Sequence, residues 1–136
     1  MTTKGYRHMN RRMLVLSLAA LPLLPVTVRA SNTRGPHGGH RTDIAGGHGE
    51  LVAEGGELRL YLSDNAYRAR SAEGASAQAV VLAAGKQTTV ALAPAGAEML
   101  RGQGDFTAAP GMRVVVSLTL PGQRPAQARF TPMDQN

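Results

Sequence analysis

From about residue 50 of this 136-residue chain, segments recur in which apolar side chains return at every second position. In ELRLYLS, residues 57–63, Leu58, Leu60 and Leu62 alternate with Arg59, Tyr61 and Ser63. In MRVVVSLTL, residues 112–120, Val114, Val116, Leu118 and Leu120 share one face, and in AQARF, residues 126–130, Ala126, Ala128 and Phe130 oppose Gln127 and Arg129. Successive side chains of an extended chain point to opposite sides, so a period of two marks a strand with one buried face. Residues 78–83 and 87–92 read as two further strands joined through Ala84-Gly85-Lys86, a short piece at 50–54 runs into the Gly55-Gly56 turn, and 105–108 is read as one more strand. No segment carries a convincing helical stripe. AYRARSAEGASAQA, residues 66–79, comes nearest, but Gly74 interrupts it and it reads as a connecting loop. About six or seven short strands spaced by glycine and proline turns predict an all-β domain over residues 50–132, a small β-sandwich or barrel, with 133–136 as a tail.

The chain opens differently. Lys4, Arg7, Arg11 and Arg12 precede an apolar run from Met13 to Val28, and Val28 and Ala30 place small residues at the −3 and −1 positions of a cleavage site. This pattern predicts a secretory signal peptide over residues 1–30. The apolar run falls short of the roughly 20 residues that span a bilayer and holds two prolines, so no stable membrane span is expected after cleavage. The features suit general secretion, while the Arg11-Arg12 pair leaves twin-arginine export open. Five of the 15 lysines and arginines lie in this segment, and the remainder carries ten bases against nine acids. A formal net charge of +6 thus belongs mostly to the signal. The rest of the chain holds no basic run of the kind that nucleic-acid binding needs.

The chain has no cysteine and no tryptophan. That removes disulfide scaffolds, thiolate metal sites and thiol nucleophiles. Beyond residue 30 the aromatics are Tyr61, Tyr67, Phe106 and Phe130, so Ala, Val and Leu must fill the interior. Met99 and Met112 read as core fillers rather than soft copper ligands. Serines are scattered, acids do not pair, and no phosphate loop or dinucleotide fingerprint occurs, so no catalysis is expected. Tyr61 and Tyr67 are either a binding surface or ordinary exposed aromatics.

The chemical concentration lies in GPHGGHRTDIAGGHGE, residues 35–50, with His37, His40 and His48. Imidazole suits zinc, copper, nickel and cobalt. The spacing lets His37 and His40 share an ion, with His48 folding back and Asp43 or Glu50 adding an oxygen. The glycine-rich composition predicts a flexible leader over residues 31–49. Fixing about twelve loose residues costs on the order of 12–24 kcal/mol. Structural zinc sites return about 10–16 kcal/mol. A weak grip, or a site completed by the domain surface, is therefore expected, with a disordered polar tether as the other reading.

The phrases HGGH, GGHGE, ELVAEGGELRLYLSD, GASAQAVVLAAGKQTTVALAPAG, GQGDF and PGMRVVVSLTLPGQRPAQARF resemble a group of small exported bacterial proteins. They are similar also to the periplasmic domain of heavy-metal efflux adaptor subunits. The resemblance covers residues 37–132 and implies a periplasmic immunoglobulin-like domain associated with handling of copper, nickel, cobalt or zinc. The chain departs from that pattern at DNAYRARSAEG. Two functions follow as expectations. One is an exported accessory protein that binds a divalent or cuprous ion through His37, His40 and His48, linked to heavy-metal efflux. The other is a non-catalytic interaction module that docks on an efflux-pump adaptor or other envelope protein without binding metal.

Overall fold

A computed structural model describes residues 34–134; the expected signal peptide lies outside the described residues. Eight strands run in chain order: β1 (His40–Ile44), β2 (Gly47–Glu54), β3 (Glu57–Ser63), β4 (Ser76–Ala83), β5 (Lys86–Pro94), β6 (Met99–Gln103), β7 (Arg113–Thr119) and β8 (Ala126–Phe130). Every neighbouring pair is antiparallel, in the order β1-β2-β3-β6-β5-β4-β7-β8. The all-β expectation holds. The strands number eight rather than six or seven, and they form one continuous sheet that nearly closes on itself as β1 comes against β8. The two separate sheets of an immunoglobulin-like sandwich are not confirmed by this pairing.

Two Greek keys interlock in this order, since β4, β5 and β6 are consecutive hairpin strands flanked by β3 beside β6 and by β7 beside β4. The two long connections, 64–75 and 104–112, carry the chain between these strands. The second contains the stretch expected as a strand at 105–108. There the Ala108 N–H donates to Gly55 O at 2.7 Å and the Gly104 N–H to Gly56 O at 2.9 Å, so this segment caps the β2–β3 turn instead of joining a ladder.

Alternation sets what faces inward. Leu58, Leu60 and Leu62 of β3, Val90 and Leu92 of β5, and Val114, Val116 and Leu118 of β7 are all buried, with Leu51, Leu100, Met112 and Phe130. Each such side chain contributes about 1.5–3 kcal/mol by leaving water. Phe130 is the largest of them, and Gly49 makes room beside it. A Cβ on Gly49 would stand 2.9 Å from Ile44 Cγ2 and 3.2 Å from Leu60 Cδ1.

The segment expected as a flexible leader, 31–49, is built into the sheet from Arg34 onward. Arg34 bridges to His40, β1 occupies 40–44, and β2 begins at Gly47. The turn between them has Ala45 at φ 51° and Gly46 at φ 76°, the two positive values a type I′ hairpin requires. The glycines that read as looseness in the sequence serve close approach instead. A Cβ on Gly39 would collide with the Leu51 carbonyl, and one on Gly47 with the Ser63 carbonyl.

Candidate functional site

The outer face of β1–β3 is polar and aromatic. Register places Arg41 opposite Glu50 and Asp43 opposite His48, and then Glu50 opposite Tyr61 and His48 opposite Ser63. Two loops fold over this face, one carrying His37 and the other Tyr67.

Glu50 anchors the first loop. It is 3% exposed, a burial that costs a carboxylate several kcal/mol unless hydrogen bonds replace water. Oε2 accepts the His37 and Gly39 N–H groups, each at 2.8 Å, and Oε1 lies 2.7 Å from His37 Nδ1. Gly35 packs so closely that a Cβ there would overlap the carboxyl group. A carboxylate only accepts, so the network assigns the hydrogen to His37 Nδ1 and leaves the lone pair on Nε2 in the neutral ring. The ring lies flat on Tyr61, centroids 3.6 Å apart and 5° from parallel.

The second loop is held by Asp64, whose Oδ1 accepts the Ala66 N–H at 2.8 Å and the Arg68 N–H at 2.9 Å. The Arg68 N–H bond, with that from Ala66 and the charges of Arg68 and Arg70, holds the Asp64 carboxyl below the usual carboxylate range. Arg70 ties this loop to the β1–β2 turn by donating to Ala45 O at 2.7 Å. The turn leaves Tyr67 at φ 62°, an unfavourable conformation for a bulky side chain, and the residue 59% exposed. His48 stacks against Tyr67 at 4.3 Å, and the Arg41 guanidinium lies over the same ring at 4.5 Å. A cleft of about 210 Å³ opens between the loops, lined by His37, Arg41, Glu50, Tyr61, Tyr67 and Glu98. A larger, more open hollow beside Arg70 and Glu73 has no comparable convergence of rings and charges.

The three histidines expected to share a metal ion do not meet. His37 and His48 lie on the outer face. His40, opposite buried Leu51, turns to the inner face, where it meets Phe130 edge-on at 5.6 Å and 79°. His40 Nδ1 accepts the Thr131 N–H at 2.7 Å. His48 Nδ1 lies 3.0 Å from Asp64 O, and its Nε2 lies 3.2 Å from Asp43 Oδ1. Among the described residues no group of three or more His, Asp or Glu side chains is arranged to hold a metal ion. Ordering cost is not the obstacle, because the sheet already fixes the segment. The nitrogens are dispersed and largely engaged.

In the sequence Glu50 stands out only as a spare oxygen ligand, and nothing there singles out Arg41 or Glu98. The Asp-Asn pair at 64–65, a common turn signal, was the available hint that Tyr67 sits in a tight loop. Comparisons with protein-family models, curated proteins and solved structures find no match. Among the described residues no helix is long and apolar enough to cross a membrane.

Proposed function

We propose that the chain is an exported, non-catalytic module of the bacterial periplasm that docks on an envelope protein through the outer face of β1–β3. One observation carries the reading. Tyr67 is held exposed and in a strained conformation, braced by Arg41 and His48, at the mouth of a cleft. Strain in a bulky residue persists only where the surroundings enforce it, and such positions gather at binding sites. Tyrosine and arginine are also the residues that dominate protein interfaces when truncated. Export rests on the charge and hydropathy of residues 1–30, and an efflux adaptor as the partner rests on the sequence resemblance alone.

The test is a photo-crosslinking side chain placed at Tyr67 and, separately, at exposed Leu82 on β4, in cells that express the full chain. A discrete adduct from position 67 that Arg41→Ala removes, and none from position 82, is the expected result. No adduct at 67, or equal labelling from both positions, would overturn the docking surface.

The His37–Glu50 pair favours a second reading, weak capture of a transition-metal ion at this cleft. A carboxylate on one ring nitrogen is the usual device that orients a ligating imidazole and raises its basicity. His37 Nε2 has no hydrogen-bonding partner among the described residues, and Glu98 lines the same cleft. Titration calorimetry with Cu(II), Ni(II) and Zn(II) decides it. Binding that is lost in His37→Ala supports it, and no heat of binding removes it.

A further inference from the structure

The strand order leaves β1 and β8 as the two ends of the sheet, and they lie against each other without a backbone ladder. What spans the gap is a side chain. His40 Nδ1 of β1 accepts the N–H of Thr131, the residue immediately after β8 and 91 positions away, at 2.7 Å, while its ring edge rests on Phe130. We propose that His40 is a proton-sensitive latch that holds the β1–β8 seam closed in its neutral form and releases it when protonated.

The chemistry is direct. The bond needs a lone pair on Nδ1, so the neutral ring must carry its hydrogen on Nε2. Protonation puts an N–H on Nδ1, donor then faces donor, and Thr131 is left with an orphaned amide. Among the described residues, no residue of β1 is in register with one of β8. Release would uncover the free edges of two strands, the surfaces that pair most readily with other chains.

The surroundings of His40 set the direction of its response. On its own face β1 offers Thr42 and Ile44, β2 offers Gly49, Leu51 and Ala53, and β8 offers Ala128 and Phe130, none of them titratable. Arg41 and Asp43 of β1, His48, Glu50 and Glu54 of β2, and Arg129 of β8 alternate to the other face. Arg34 is in register with His40, and Asp134 is engaged with the Gly111 N–H at 2.6 Å. Among the described residues no carboxylate is set against the ring, and burial pushes the His40 pKa below its ordinary value. The latch is therefore closed at neutral pH and opens only as pH falls below the ordinary imidazole value.

The experiment is amide hydrogen exchange read by NMR at pH 7 and pH 5, corrected for the intrinsic rate, on the chain without residues 1–30. The Thr131 amide is expected to lose protection on the order of tenfold, as for one lost hydrogen bond. The Val81 amide of central β4 is expected to stay unchanged. In His40→Asn, which keeps an acceptor but does not titrate, Thr131 protection should not depend on pH. Equal Thr131 protection at both pH values in the wild type, or the same loss in His40→Asn, overturns the latch. Should that variant not fold, the wild-type Thr131 amide shift is followed through the His40 titration. A common midpoint supports the proposal, and a Thr131 shift that stays flat while His40 titrates overturns it.

Discussion

Glu50 concentrates more of the local architecture than any other polar residue described. It gathers two backbone N–H groups and an imidazole N–H from the turn at 35–39, and so fixes the cleft wall that His37 and Tyr61 form. Glu50→Ala should leave those donors without partners and cost about 1–3 kcal/mol. The expected signature is a lower urea midpoint at an unchanged slope, together with faster proteolysis within 34–39. This arrangement was not legible in the sequence. His37 and Glu50 are 13 positions apart, and nothing local signals a carboxylate beneath a glycine turn. Composition pointed instead to looseness, because glycine needed for close packing and glycine in a flexible tether read alike.

At the level of elements, β3, β5, β7 and β8 could be read from alternation because each has one buried face and one wet face. β1 escaped detection. Its stretch HRTDI buries only Ile44 fully, since the inward positions are filled by His40 and Thr42 at the seam rather than by large apolar residues. The start of β2 was hidden for a related reason, with Gly49 on the inward face where Ile44, Leu60 and Phe130 supply the bulk, and Gly47 packed against the Ser63 carbonyl. The hairpins carry a correctable imperfection. The β4–β5 turn has Ala84 at φ 51° followed by Gly85 at φ 74°. An alanine in the left-handed region costs on the order of 1 kcal/mol. Ala84→Asn creates the Asn-Gly pair that type I′ turns prefer. It should raise stability by about 0.5–1 kcal/mol, seen as a higher urea midpoint with an unchanged slope.

For the whole molecule, the seam couples stability to pH. Unfolded, His40 titrates near its ordinary value of 6.5, whereas in the fold its pKa is lowered. Above 6.5 both states are neutral and the His40 contribution is complete. As pH falls below 6.5 the unfolded chain takes up the proton first, so stability declines until pH passes the lowered folded value, and it levels off below that. Urea midpoints measured from pH 8 to pH 5 should show this fall, and subtracting the His40→Asn profile should isolate it. A flat difference between the two profiles would show that His40 is not the coupled group.

The seam also brings the two ends of the described segment together. Arg34 bridges to His40 at one end of the described segment, and Thr131 bonds the same residue at the other, with Arg34, Pro132 and Met133 lining one shallow hollow. The first and last described residues therefore lie close together. A circular permutant that joins Asp134 to Arg34 through a short glycine-serine linker, and opens the chain between Ala84 and Gly85, should fold with the same eight strands. Circular dichroism and the proton spectrum of the buried leucine methyls would check it. A cargo fused directly before Arg34 and one fused directly after Asp134 would leave from the same side of the sheet.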